Sequence, residues 1–259
     1  MLEINKIYNA DCLELMKEIP DNSIDCIICD LPYGTTLCDF DKKIIPFEPL
    51  WKQYKRIIKP NRAIVLFGQQ PFTTFLISSN LEMWKYNWIW EKENGTNILN
   101  SHYQPLKVTE DICIFGTGAT SNSPNENMIY NPQFSEGKPY ICKSGNQKSN
   151  TVVAGHGSRN VGGFITENEG KRYPKNLIRF NRDKEKIHPT QKPVALLEYL
   201  IKTYSNENDL ILDNCSGSGT TAVACHNLKR RFICIEKDYD YWKASVERLE
   251  NAQAQLRLF

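Results

Sequence analysis

LILDNCSGSGTTAVA, residues 210–224, is the stretch that decides how this chain folds. Its first three residues are apolar and read as a short strand that stops at Asp213. Gly217 and Gly219 make a turn, and the spacing predicts a helix from about 219 to 229. A strand end, a glycine turn and a helix N-terminus together form a ligand-binding unit. Glycines admit close backbone approach, and the first N–H groups of a helix have no partner within it. The next strand, FICIE at 232–236, ends on Glu236, where a carboxylate can accept from ribose hydroxyls.

Three readings of this unit compete. It can be a plain turn. It can hold a nicotinamide dinucleotide, since Gly217-x-Gly219-x-x-Ala222 matches that fingerprint. It can hold S-adenosylmethionine, which has no pyrophosphate to cradle and whose cationic methionine end suits Asp213. Position separates them. One strand alone follows the turn, so a dinucleotide fold built forward from it runs out of chain. The N-terminal half must complete the sheet, and the element order is therefore permuted.

That half supplies the missing strands. Apolar runs predict strands at 2–8, 24–29, 63–67, 83–92 and 111–115, with helices at 12–19, 47–58 and 71–79. Further helices are expected at 194–204, entered through Pro193, and at 240–254. Alternating strands and helices predict an α/β fold with a doubly wound, mostly parallel sheet. Between 117 and 187 apolar runs are few and Asn, Gly, Ser, Lys and Arg dominate. That is too long for a connection in such a sheet, so it reads as an insertion on the binding face. The expected organisation is one half of the core at 1–116, the insertion at 117–187 and the other half at 188–259.

Within the first half, CIICDLPYGTT at 26–36 ends a buried strand on a carboxylate. Ligands of open α/β sheets lie outside the carboxyl ends of strands. Asp30 can accept from an exocyclic amino group, the main-chain carbonyl of Leu31 can accept a second proton, and Pro32 holds the turn irregular. The Tyr33 ring can stack on a planar heterocycle. Two acceptors and a stacking face form a receptor for an amino-bearing base taken out of a duplex. Acceptors on both amino protons favour a pyramidal nitrogen with a free lone pair, ready to take a methyl group directly, without a covalent enzyme intermediate.

Several classes are set aside by composition. The chain has 259 residues, 41% hydrophobic and 24% charged, with a net charge of +2. Its nine cysteines show no paired metal-ligand spacing, and Cys26 and Cys29 should face opposite sides of one strand. Free thiols suit a reducing compartment, the N-terminus lacks a secretory pattern, and no segment is apolar enough to span a bilayer. A cytoplasmic protein without a membrane association is expected. His102 and His156 stand alone, His226 reads as structural, and no metal is expected. Trp88 and Trp90 read as core.

Taken together, these residues resemble the DNA amino-methyltransferases. Asp30-Leu31-Pro32-Tyr33 is similar to their Asp-Pro-Pro-Tyr catalytic motif, and 213–221 to their Asp-Pro-Phe-x-Gly-Ser-Gly-Thr-Thr cofactor motif. His188-Pro189-Thr190-Gln191-Lys192-Pro193 resembles the segment preceding that motif in the β-group, whose motif order this chain shares. Asn9-Ala10-Asp11-Cys12 resembles their Gly-Asp-Cys opening, in which the aspartate meets the cofactor adenine. Leu31, Asn214-Cys215 and Asn9-Ala10 depart from the pattern.

The resemblance implies a circularly permuted S-adenosylmethionine-dependent methyltransferase fold with an inserted target-recognition region. Asp30, Leu31, Pro32 and Tyr33 would be catalytic. Asp11, Cys12, Asp30, Thr190, Gln191, Asp213, Ser216, Gly217, Ser218, Gly219, Thr220 and Glu236 would meet S-adenosylmethionine. An aspartate heading the catalytic motif favours adenine N6 over cytosine N4. From 138 to 192 there are twelve Lys/Arg against four Asp/Glu, the footprint of phosphate binding. Lys138, Lys143, Lys148, Arg159, Lys171, Arg172 and Arg179 are the expected DNA contacts. The implied partners are double-stranded DNA and, in a restriction–modification setting, a cognate restriction nuclease, with the protein a monomer or homodimer. A non-catalytic DNA-binding partner keeping this fold, and an RNA methyltransferase, remain the alternatives.

Overall fold

The computed structural model describes residues 2–34, 44–121, 123, 125–143, 165–184, 187–188 and 190–256. In chain order the strands are β1 (Lys6–Asn9), β2 (Cys26–Cys29), β3 (Ala63–Gly68), β4 (Trp84–Thr96), β5 (Lys107–Gly116), β6 (Ser135–Glu136), β7 (Tyr140–Lys143), β8 (Ile165–Asn168), β9 (Lys171–Arg172), β10 (Leu177–Arg179), β11 (Leu210–Asp213) and β12 (Arg231–Glu236). The helices are α1 (Cys12–Leu15), α2 (Phe47–Ile57), α3 (Phe72–Ser79), α4 (Val194–Tyr204), α5 (Thr220–Asn227) and α6 (Tyr239–Leu256).

Two compact units result. The larger, residues 1–131 and 176–259, holds an eight-stranded sheet in the order β1-β12-β11-β2-β3-β5-β4-β10. All pairings in it are parallel except β3 with β5 and β5 with β4. The period-2 alternation of each strand feeds two cores. Cys26, Ile28, Val65, Phe67, Ile211 and Cys234 pack with Leu196, Leu200 and Tyr204 of α4, Val223 of α5 and Leu249 of α6. Ile27, Cys29, Ile64, Leu66, Leu212 and Ile233 pack instead with Leu50, Tyr54 and Ile57 of α2 and Phe72 and Leu76 of α3. Helices thus cover both faces, as a doubly wound sheet requires. Cys26 and Cys29 fall in opposite cores, as the strand spacing predicts.

Boundaries shift where local chemistry overrides pattern. The first strand starts at Lys6, not at residue 2, because Asn5 takes the left-handed region at φ 63° while its side chain accepts from the Phe232 N–H at 3.1 Å. The helix predicted over 12–19 tightens into a 3₁₀ turn at Met16–Glu18. There the Arg56 guanidinium takes the main-chain oxygens of Met16 and Ile19 at 2.8 and 2.7 Å. Strands β4 and β5 outrun their apolar runs and continue as a two-stranded ribbon to the pair Thr96–Lys107. The turn beyond it presents Ile98, Leu99 and Tyr103, at 70, 94 and 89% exposure.

The smaller unit, Pro132–Lys175, lies inside the interval read as an insertion. Its described part is two antiparallel pairs, β6 with β9 and β7 with β8. Phe134 packs on Tyr173 with ring centroids 4.9 Å apart, and Arg172 lies 4.8 Å from the Tyr140 ring centroid. Residues 177–179, inside the same interval, belong to the large sheet as β10.

Candidate active site

Strands β2 and β11 are hydrogen-bonded neighbours in parallel, Ile211 opposite Cys26 and Leu212 opposite Ile27. Asp25, 2% exposed, pins their start: it accepts from the Leu210 N–H at 2.9 Å and pairs with Lys59 and Arg62 at 2.7 and 3.0 Å. Residues 183 positions apart in sequence, Asp30 and Asp213, therefore leave the same sheet edge. A cavity of about 1000 Å³ opens there. Its walls include Asp11, Cys12, Asp30, Leu31, Pro32, Tyr33, Thr190, Gln191, Asp213, Ser216, Gly217, Ser218, Thr220 and Glu236. Tyr33 and Gly217 share one cleft.

The turn after β11 is held by its own side chains. Asp213 accepts from the Thr221 hydroxyl at 2.5 Å and from the Cys215 N–H at 3.1 Å. Burial pushes its carboxyl up to about 7. Glu236 accepts from the Gly217 N–H at 2.7 Å and the Asp238 N–H at 2.8 Å, and burial raises its carboxyl too. Asn214 accepts from the buried Tyr54 hydroxyl of α2 at 2.5 Å. Arg248 of α6 reaches the Ser218 carbonyl at 3.1 Å and the Thr220 hydroxyl at 2.9 Å. Asp11 caps α1 through the Leu13 N–H at 3.0 Å and meets Lys237 at 3.0 Å. Gly219 is absent from the wall. It sits at φ +70° before α5, and a Cβ there would lie 2.9 Å from Cβ of Ser245. The lack of a side chain there lets α5 approach α6 closely.

One polar atom in this wall stands out. The Ser216 hydroxyl is buried without a hydrogen-bond partner among the described residues. Orphaned buried polar atoms cost about 1–3 kcal/mol unless a ligand satisfies them. Ser216→Ala is therefore expected to keep or slightly raise the melting temperature while weakening cofactor binding by about five- to tenfold, the worth of one hydrogen bond. Thermal melts and titration calorimetry check this, and an unchanged affinity refutes a ligand contact at Ser216.

On the β2 side, Asp30 is engaged at both oxygens: the Tyr33 hydroxyl donates to one at 2.6 Å, and Lys192 Nζ lies 2.6 Å from the other. Glu110 of β5 accepts from the same Tyr33 hydroxyl at 3.1 Å and pairs with Lys192 at 2.6 Å and Lys92 at 2.7 Å. Burial raises the Asp30 carboxyl, against the pull of Lys192. Burial also acts to raise Glu110, but the two ammonium groups outweigh it and hold that carboxyl low. One face of the Tyr33 ring packs on Phe72, centroids 4.9 Å apart, so the ring offers a heterocycle less surface than its sequence position suggested. Thr190 bonds His188 Nδ1 through its hydroxyl at 3.0 Å, and burial pushes that imidazole down to about 4.

Lys92, Glu110, His188 and Lys192 carry this half of the wall and were given no role by sequence. One signal was available: alternation puts Lys92 on the same strand face as Trp88 and Trp90, an odd place for a lysine. Trp88 and Trp90 are core, at 3 and 2% exposure, though Trp90 also lines the cavity. Among the described basic residues, Arg179 forms a two-point pair with Glu91 at 2.6 and 2.7 Å. Arg172 donates to Asn168 and to the Lys138 carbonyl. Lys171 lies on β9 and Lys143 ends β7. Lys148, Arg159 and His156 lie outside the described residues. Among the described residues no group of three His, Cys, Asp or Glu is placed to hold a metal, and no helix is long and apolar enough to cross a membrane.

The geometry has counterparts among known proteins. The type II methyltransferase M.HpaI of Haemophilus parainfluenzae is 28% identical over 258 residues, covering 95% of this chain and 74% of that protein. The crystal structure of the M1.HpyAVI–SAM complex matches with a TM-score of 0.60 at 25% identity, over 94% of this chain and 99% of that one. The PvuII DNA methyltransferase, described as cytosine-N4-specific, shares the fold at a TM-score of 0.64 and 15% identity, over 96% and 91% of the two chains. The family profile described as DNA methylase, of the N6/N4 type, matches residues 24–247, and the chain belongs to that family.

Proposed function

We propose that this protein is an S-adenosylmethionine-dependent DNA methyltransferase that modifies the N6 amino group of adenine in an extruded base. The observation that carries this reading is one cavity walled by both Asp30-Leu31-Pro32-Tyr33 and Ser216-Gly217-Ser218 of the glycine turn. The unpartnered Ser216 hydroxyl and the open approach to Gly217, where a Cβ would meet nothing nearer than the His188 ring at 3.7 Å, fit the cofactor. Residues available to hold it are Asp11, Cys12, Ser216, Gly217, Ser218 and Glu236. When bound, S-adenosylmethionine supplies an activated methyl group on a sulfonium and leaves as the neutral thioether.

The chain's own residues do the rest. Asp30 accepts a hydrogen bond from the amino group, a carboxylate having lone pairs left after Lys192 and Tyr33 are served. The Leu31 carbonyl is the second acceptor. Together they localise the lone pair on a nitrogen that is otherwise conjugated with its ring, and they stabilise positive charge as the nitrogen gains a methyl. The nitrogen then gives up one proton, for which Asp30 is the adjacent carboxylate.

Duplex DNA would lie along this sheet edge. The ribbon of β4 and β5 runs past it, and its tip, 94–106, carries no Lys, Arg, Asp or Glu. Exposed Leu99 and Tyr103 suit insertion between bases rather than contact with phosphates. Replacing both with serine is expected to lower DNA affinity by about thirtyfold or more, in line with alanine substitutions of stacking residues. Cofactor affinity should stay constant, as fluorescence anisotropy and calorimetry would read; equal DNA affinity would remove the tip from the interface.

The decisive test is to incubate the protein with S-adenosylmethionine and mixed-sequence duplex DNA and digest to nucleosides. N6-methyladenine is the expected product. N4-methylcytosine would refute the base assignment and keep the enzyme. No modified nucleoside across many DNAs would overturn the reading, and methylation of RNA offered in a parallel incubation would assign an RNA substrate instead.

A further inference from the structure

Beyond the catalytic motif, we propose that Lys192 is a positioning residue for methyl transfer: it fixes the aim and charge of Asp30 while its own charge is divided with Glu110. This rests on the function proposed above. Four ionic groups form an alternating row, Lys92, Glu110, Lys192 and Asp30, with successive contacts of 2.7, 2.6 and 2.6 Å. The first three side chains are 9, 6 and 9% exposed; Asp30, at 23%, is the end that meets the cavity. The row is neutral overall, so it avoids the cost of a lone buried charge.

Each end of the row has a distinct use. Lys192 lies 5.0 Å from the Phe67 ring centroid and 5.8 Å from that of Tyr33, which leaves its ammonium little freedom to turn away. It clamps one Asp30 oxygen, and the Tyr33 hydroxyl clamps the other. The carboxylate plane is thereby set before a base arrives. Without Lys192, burial would favour the protonated acid, which accepts poorly. With Lys192 and no Glu110, the full ammonium charge would fall on Asp30 and weaken it as an acceptor. Glu110 thus holds the lysine's influence at an intermediate strength, and Lys92 compensates Glu110.

Two other titratable groups feel the charge of Asp30, and a third feels that of Lys192. Cys29 lies on its own strand, Asp213 comes from β11, and His188 approaches beside Lys192. Their contributions are common to all variants below, so the direction of change between variants is what discriminates.

The test is the pH dependence of kcat for wild type, Lys192→Met, Lys192→Arg and Glu110→Gln, with cofactor affinity measured in parallel. An opposite charge within a few ångströms is worth about 1–3 pH units to a carboxyl. Lys192→Met should move the acid limb of kcat upward by about one unit or more, with part of the lost activity returning at high pH. Glu110→Gln should move the limb the other way and lower the plateau. Lys192→Arg should keep the limb near its wild-type place. Cofactor affinity should change by less than about threefold throughout, under 1 kcal/mol. Should Lys192→Met fail to fold, the near-isosteric Glu110→Gln variant decides alone. Limbs that stay put, or shift in the same direction, overturn this assignment. A wild type inactive on DNA at every pH overturns the proposed function and this assignment with it.

Discussion

Replacing Asp30 with alanine lowers kcat by about 10³-fold or more, the loss seen when a preorganised partner of transition-state charge is removed. The side chain contributes most when the amino nitrogen carries developing positive charge, so the effect belongs to kcat rather than to substrate affinity. Cofactor binding should hold within about threefold, under 1 kcal/mol, because Ser216, Gly217 and Glu236 lie on other strands' ends. The fold should hold too: Lys192 keeps its 2.6 Å partner Glu110 when Asp30 is gone. Single-turnover methylation and calorimetry read the two quantities separately. A variant within tenfold of wild type would end the acceptor role of Asp30.

Gly219→Ala is expected to lower the stability of the fold substantially for the addition of one methyl group. The residue sits at φ +70°, a region that costs an L-residue about 1–2 kcal/mol. The added Cβ would also lie 2.9 Å from Ser245 Cβ and 3.3 Å from its carbonyl oxygen, both on the buried face of α6. Overpacking of that kind costs about 1–3 kcal/mol. Together, at about 2–4 °C per kcal/mol for a chain of this size, the melting temperature should fall by roughly 5–15 °C. Gly217→Ala offers the contrast. Its nearest contact is an ordinary 3.7 Å, so it bears the backbone term alone. Calorimetric melts giving equal shifts for the two variants would contradict the packing account.

What the sequence made legible were elements whose burial is periodic. The runs at 63–67 and 194–204 could be placed because a buried strand or helix face needs apolar residues at fixed spacing. The joining of Asp30 to the Gly217 turn was legible too, since a strand-end carboxylate and a glycine turn each mark a sheet edge. The ribbon beyond Trp90 was not, because ladder hydrogen bonds rather than burial sustain it. The partnership of Lys192 with Asp30 spans 162 positions, and nothing local in His188–Pro193 requires it. The close approach of Gly219 to Ser245 was not legible either, because Ser245 leaves no trace in the turn itself. The short pairs at 135–172 stayed hidden for a related reason: their side chains are largely exposed and obey no apolar period.

The place of β11 between β12 and β2 has a consequence for biosynthesis. Strand β2 is wholly buried in the finished sheet, yet its neighbour on one side emerges from the ribosome more than 180 residues later. Until then a nascent chain carries a bare, apolar strand edge, which is a template for wrong pairing. Such non-local closure is slow. Chaperone engagement of the unfinished polypeptide, released once residues beyond 213 have docked, is the behaviour this topology calls for.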